Sequence, residues 1–311
     1  MHISDAQAGG KKGRSTCDHI LAVKELIDIS KKLQKPLYTV FLDVSKAYDK
    51  AWLDALLYSA YNRGLRGNTW QLIKELNSDL SAKVRTKHGN TREIRLNNVM
   101  RQGGVSATHL YSGHIDDTTV LSKKLNLGVT VNSHGDLIAV IHWVDDIFGA
   151  ETNPRDFQKL LDAINEIRNR YHIEFREEKS KVMIIGGKKD TPRPIFKIGD
   201  ITLEYTEKYK YLGEVINSKN NLENQIEELE KKIEGAYQTI LKVAKDRVFK
   251  NIEMETIWKL LETSIQAIIL YGSETWNPRK KDWAELNKLQ DSLIKRILMT
   301  PITTPTEALY T

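Results

Sequence analysis

The stretch LIAVIHWVDDIFGA, residues 137–150, sets two carboxylates side by side directly after an apolar, β-branched run. Asp favours turns because its side chain bonds nearby backbone amides, so VDD between LIAVIHW and IFGA reads first as a hairpin corner. A corner alone has no need of two adjacent like charges, which repel. A second run of the same apolar character, LYTVFLDV at residues 37–44, ends at Asp43. If the two runs are neighbouring strands, Asp43 faces Asp145 and Asp146 across one sheet edge. Three carboxylates so close are unfavourable unless divalent cations lie between them. Hard cations such as Mg²⁺ take oxygen ligands, and in two-metal sites a pair held about 3.5–4 Å apart serves phosphoryl transfer.

Composition leaves room for that chemistry and excludes some others. The chain has 311 residues and is 40% hydrophobic, enough for a polymerase-sized core or two to three subdomains. Its single cysteine, Cys17, rules out an intramolecular disulfide and a cysteine-based metal cluster, so metal ligands must be oxygen or histidine. No apolar run approaches bilayer length and the first residues lack the apolar core of a signal peptide, so a soluble, intracellular protein without membrane contact is expected. Forty-seven Lys and Arg against 41 Asp and Glu give a net charge of +6, which permits a phosphate-bearing partner without requiring one. GGKKGR and GGKKDTPRP put basic residues beside glycines, a composition suited to backbone contacts with phosphates.

Along the chain, apolar spacing predicts a helix over about 16–35 behind caps at Ser15, Thr16 or Asp18. A buried strand to Asp43, a helix over 51–63, a hairpin around HGN at 88–90 and a helix from 104 to about 124 follow. Then come a hairpin leading into VDD, and a helix from the Asn153–Pro154 cap to about Arg170. HIEFR, SKVMIIGG, FKIGDITLEY and YKYLGEVI read as strands. From Asn220 the texture becomes helical, with Leu222, Ile226, Leu229, Ile233, Ala236 and Ile240 three and four apart, and two further helices over 251–271 and 280–299. The layout is an α+β body to about residue 218 and a C-terminal helical part.

The ordered set QAGGKKGRSTCDHI, FLDVSKAYDKAW, VMRQGG, HWVDDI, EKSKVMIIG and YKYLGEVI resembles the reverse transcriptases of non-LTR (LINE-type) retrotransposons, extending to ILYGSETW and PTEALYT. The resemblance implies a right-hand polymerase palm, an antiparallel sheet with helices, with partial fingers over 1–36, the palm with remaining fingers elements and a primer-grip hairpin over 37–218, and a helical thumb over 219–311 along the product duplex. It also implies an RNA-directed DNA polymerase that joins dNTPs to a primer 3′-hydroxyl with two Mg²⁺ ions (Mn²⁺ a substitute). Its partners would be an RNA template and a DNA primer or target DNA, in the nucleus or cytoplasm.

By position, Asp43, Asp145 and Asp146 match the catalytic carboxylates, with the Val44 carbonyl as a backbone metal ligand. Tyr48 matches the aromatic under the incoming sugar that excludes a 2′-hydroxyl, and Gln102 and Gly103 match the nucleotide-pocket motif. Lys179 matches the lysine beside the leaving pyrophosphate, and Tyr211, Leu212 and Gly213 match the primer grip. Lys242, Lys245, Arg247 and Lys250 would meet nucleic-acid phosphates without reading sequence.

The chain departs from the family pattern in several places. Thr108 and His109 replace an expected Pro and Leu, Arg176 stands for Asn, Trp143 for Tyr or Phe, and Gly10 for Phe. Only six residues precede Gln7, so the family's basic upstream finger segment is expected to lie outside this sequence, as in the core of a longer element protein or a decayed copy. The competing expectation is a catalytically weak or inactive polymerase-like module that holds RNA. An RNA polymerase or a nucleotide cyclase on a similar palm is a third, opposed by Tyr48 and by the helical C-terminal part respectively.

Overall fold

The computed structural model describes residues 1–311 except 49, 97–99, 101–103, 105, 246–253, 298–299, 302 and 310–311. In chain order the elements are α1 (Thr16–Lys32), β1 (Leu37–Asp43), α2 (Leu53–Asn62), α3 (Gly67–Asn77), β2 (Leu80–Ala82), β3 (Arg85–Thr86), β4 (Gly89–Asn90), β5 (Ile94–Leu96), α4 (Ala107–Ile115), α5 (Asp117–Lys124), β6 (Val129–Thr130), β7 (Leu137–Ile138), β8 (Val140–Trp143) and β9 (Asp146–Glu151). They continue with α6 (Pro154–Tyr171), β10 (Lys181–Ile185), β11 (Lys197–Ile198), β12 (Ile201–Thr202), β13 (Glu204–Tyr205), β14 (Lys208–Tyr211), β15 (Glu214–Asn217), α7 (Glu223–Lys245), α8 (Met254–Leu270) and α9 (Lys280–Ile297).

Local chemistry explains most of the boundaries. Ser15 and Asp18 form a reciprocal capping box that starts α1. The Asn153 side chain accepts the Arg155 N–H at 2.8 Å, and Pro154 follows at the first helical position of α6. Three expectations are corrected. The single helix expected over 104–124 is two, α4 and α5, divided at Asp116. Helix α3 was not foreseen, because its apolar Leu72 and Leu76 stay 54% exposed and mark no core face. HIEFR forms no strand: both edges of β1 are taken, by β9 and β10, so Phe175 meets only Val44, past the end of β1, in an isolated bridge.

The chain divides into two compact units, Met1–Tyr209 and Lys210–Thr311. The division falls inside β14, ahead of the boundary expected near 218. The first unit is built on a five-stranded sheet of order β13-β10-β1-β9-β8, antiparallel except that β13 runs parallel to β10. β1 shows no apolar alternation because both of its faces are covered. On one face Tyr38, Val40 and Leu42 join Phe157, Leu160, Leu161 and Ile164 of α6 in the core. On the other, Phe41 stacks on Tyr209 (centroids 4.3 Å, interplanar 14°) and meets Phe148 edge-on at 5.3 Å.

The second unit carries the hairpin turn at 212–213 and the helices α7 to α9. The stripe of α7 foreseen from its spacing supplies Ile233 and Ile240, with Ala236 packed beside them, and these cluster with Tyr237, which that spacing left out, Ile265 of α8 and Leu293 of α9. Among the described residues no helix is long and apolar enough to cross a membrane.

Candidate active site

The β1–β9 register sets Asp43 directly opposite Asp146, and the β8–β9 register sets Trp143 opposite the same residue. Val144 and Asp145 are therefore the two-residue loop of a hairpin. The two readings of VDD are one structure: the corner of a hairpin is what brings the pair of carboxylates to the end of β1. Asp145 and Asp146 feel this crowding. Burial raises the Asp145 carboxyl above its ordinary range and Asp43 adds to the rise. Burial, then Asp145, then Asp43 push Asp146 up to about 6.

Cations answer from the segment between α6 and β10. Arg176 Nε lies 2.5 Å from Asp43 Oδ1 and Lys179 Nζ lies 3.5 Å from Asp43 Oδ2. The Arg176 contact is an ion pair without hydrogen-bond alignment, since both Arg176 Nε and Asp43 Oδ1 are buried with no hydrogen-bond partner. The Asp43 Oδ1 thus has a compensating charge but no hydrogen bond, and a buried carboxylate oxygen of that kind suits a hard divalent cation in place of the guanidinium. Among the described residues no three such groups are already gathered around one point, so side-chain rotation would complete a coordination shell. Val44 suits a backbone ligand. The Asp43 carbonyl accepts the Arg176 N–H at 2.9 Å and the Ser45 N–H goes to the Glu174 carbonyl at 2.8 Å, so the Val44 carbonyl is outside that exchange.

Residues 1–216 match the protein family described as reverse transcriptase (RNA-dependent DNA polymerase). The chain belongs to the reverse transcriptase family. It is 21% identical over 319 residues to the retrovirus-related Pol polyprotein from the type-1 retrotransposable element R2 of Popillia japonica, an alignment that takes in 100% of this chain and 43% of that protein. The chain therefore spans less than half the length of the curated relative it matches. Among solved structures, telomerase from Candida albicans with a fragment of telomeric RNA is similar with a TM-score of 0.50 and 11% identity, over 98% of this chain and 55% of that one. Telomerase from Candida tropicalis with the corresponding RNA fragment aligns with a TM-score of 0.48, 15% identity, and 98% and 49% coverage. The α+β polymerase palm expected from the sequence is the fold observed, and the resemblance to retrotransposon reverse transcriptases holds.

Other residues of this reverse transcriptase chain fall around the carboxylates. Tyr48 is half-buried, with its ring 5.6 Å from that of Tyr111 and its hydroxyl 3.4 Å from Thr108 Oγ1. Tyr111 is buried, and its hydroxyl is pushed upward by that burial and by nearby Asp145 and Tyr48. Tyr209, on Phe41, is pushed up to about 12 by burial and by Asp43 and Asp146. Neither Tyr111 nor Tyr209 was singled out in the sequence, although Tyr209 opens the YKYLGEVI motif. Two departures from the family pattern meet in space. A Cβ on Gly10, at φ +75°, would lie 2.6 Å from Thr108 Cγ2, so Gly10 has room for no side chain where Thr108 replaces Pro.

Gln102 and Gly103 lie outside the described residues, as do Arg247 and Lys250. In the second unit, Leu212 (φ +47°) and Gly213 (φ +89°) turn the β14–β15 hairpin, and Tyr211 is buried before them. The turn is held on both sides: Tyr271 Oη donates to the Leu212 carbonyl at 2.7 Å and Lys232 Nζ to the Gly213 carbonyl at 3.4 Å. A side chain at 213 would come within 2.8 Å of the Tyr271 ring. Lys242 is exposed on α7 and Lys245 is its last residue.

Proposed function

We propose that this chain is an RNA-directed DNA polymerase core, adding dNTPs to a primer 3′-hydroxyl on an RNA template. The observation that carries the reading is the Asp43–Asp146 pairing across neighbouring strands with Asp145 in the adjoining turn. In this reading Asp43, Asp145 and Asp146, with the Val44 carbonyl, hold two Mg²⁺ ions. Bound there, the ions lower the charge barrier to attack of the 3′-oxygen on the α-phosphate and to departure of pyrophosphate. Lys179, 3.5 Å from Asp43, supplies positive charge and a proton on the leaving side. Arg176 supplies a second fixed charge beside it.

Tyr48 serves as the wall that rejects a 2′-hydroxyl. Its contacts with Tyr111, whose hydroxyl feels the charge of Asp145, and with Thr108 support that role because they steady the ring. Gln102 and Gly103 complete the nucleotide pocket. Tyr211, Leu212 and Gly213 hold the primer end, a task suited to a turn fixed by Tyr271 and Lys232. Residues 1–36 act as partial fingers, 37–218 as palm and 219–311 as thumb, with Lys242, Lys245, Arg247 and Lys250 on phosphates.

Primer extension on an RNA template, with Mg²⁺ or Mn²⁺ and with dNTPs against NTPs, tests the reading. Metal-dependent incorporation of dNTPs in preference to NTPs is expected. Template binding without incorporation under any metal would sink it and leave an RNA-holding module.

A further inference from the structure

Gln7 opens the first shared motif, and the roles above leave it unused. It is wholly buried. The residue before it and the residue after it run beside β8: the His142 N–H donates to the Ala6 carbonyl at 2.7 Å and the Ala8 N–H to the His142 carbonyl at 3.1 Å. Where β8 ends, the side-chain amide of Gln7 continues the pairing. Its Oε1 accepts the Val144 N–H at 3.0 Å and its Nε2 donates to the Val144 carbonyl at 3.3 Å. Oε1 also accepts the Gly9 N–H at 2.9 Å, which fixes the amide's orientation. Gly9 permits this approach, since a Cβ there would lie 2.5 Å from Val144 Cγ2.

Val144 needs holding. Its φ is +59°, in the left-handed region that β-branched residues avoid. The conformation matters because consecutive residues of an extended strand project to opposite faces. Asp145 and Asp146 can both stand near Asp43 only if the chain turns sharply just before them. The Val144 carbonyl belongs to the peptide plane that leads into Asp145, so holding that carbonyl aims Asp145.

We propose that Gln7 is a positioning residue for the carboxylate hairpin, locking Val144 in its left-handed turn so that Asp145 and Asp146 share one metal-binding edge with Asp43. The inference rests on the polymerase reading above. Its test combines single-turnover extension with hydrogen exchange at the Val144 amide, on the full chain. Gln7→Leu keeps the bulk and removes the hydrogen bonds. It should lower the extension rate by roughly ten- to a hundredfold, leave primer–template affinity within about twofold, and speed Val144 exchange by about tenfold or more. In a Val144→Gly background the rate loss from Gln7→Leu should shrink several-fold, because glycine enters the left-handed region without steric cost.

An equal loss in both backgrounds, or an unchanged rate despite faster exchange, overturns the proposal. Should Gln7→Leu not fold, Gln7→Asn, one methylene too short to span both Val144 groups, takes its place with the same expectations; failure of both to fold even with Val144→Gly would assign Gln7 to stability and overturn the positioning role. If the parent chain shows no metal-dependent extension, the polymerase reading fails. The exchange data still decide the clamp: unchanged Val144 exchange in Gln7→Leu rejects it.

Discussion

The sheet of the first unit and the helices of the second are packed to different standards. Tyr38, Val40, Leu56, Leu160 and Val182 of the first are 0% exposed, whereas Ile233, Tyr237, Ile240, Ile265 and Leu293, the cluster where the three helices of the second meet, keep 3–9%. A sheet covered on both faces closes around its strands, while helices that meet along one seam leave the rim of that seam in water. The surface of the second unit is laced with exposed ion pairs such as Arg296–Glu234, which contribute little stability each. Holding like charges a few ångströms apart requires a scaffold that does not yield. Meeting a phosphate backbone, the role proposed for the second unit, tolerates a looser one.

The largest break in this comparison is at the carboxylates. Asp43→Asn or Asp146→Asn should reduce single-turnover extension on the order of thousands-fold, by loss of a metal ligand. The fold should survive, since Asn keeps the shape of Asp and the loss of one carboxylate charge relieves repulsion within the cluster, which at Asp43 offsets the loss of its ion pairs with Arg176 and Lys179. Thermal melting and template binding near parental values, with extension within tenfold of the parent, would remove these residues from the site.

Core truncation measures the packing difference directly. Leu160→Ala should cost about 2–5 kcal/mol of stability, and Ile240→Ala, at a site already 9% exposed, about 2 or less. Urea unfolding of the two variants gives the ranking, and a larger loss at Ile240 would reverse the contrast drawn here.

Acid sharpens it further. Burial holds the imidazoles of His19 near 4 and of His114 and His142 near 3, all in the first unit, whereas residues 210–311 contain no histidine. These groups stay neutral when folded and take up protons near 6.5 when unfolded. Their stability contribution is therefore complete above about 6.5 and is lost as pH falls toward 4 and 3, at about 1.4 kcal/mol per pH unit for each imidazole. Asp146, raised to about 6, works in the opposite sense between about 4 and 6, as do Asp145 and Glu151, which burial also raises, but over a narrower range than the histidines span. Hydrogen exchange at pH 5 against pH 7 should show the first unit loosening before the second. The reverse order would contradict the burial of these histidines.

The smallest effect belongs to the exposed helix surface. Lys242→Glu should weaken primer–template binding several-fold and make its salt dependence shallower by about one to two counterions. An unchanged salt slope would show that Lys242 meets no phosphate.

The local sequence suffices for the end points of β1 and β9. Continuous apolar, β-branched runs that stop at Asp43 and at the VDD corner leave little choice but neighbouring strands with acidic ends. It also determined α1, α6 and the stripe of α7, whose caps and spacing are local properties. HIEFR looked like a strand on the same local grounds, yet strand pairing is a matter of vacancy, and β1 had no free edge.

The rest of the site depends on how distant elements pack. The charges of Arg176 and Lys179 on Asp43, the stacking of Tyr209 on Phe41, the meeting of Gly10 with Thr108 and the grip of Gln7 on Val144 join residues 98 to 168 positions apart. Periodicity says which face of an element is buried. It carries no information on which distant side chain fills the space beside a particular peptide, because that depends on how whole elements pack and on where a missing Cβ leaves room.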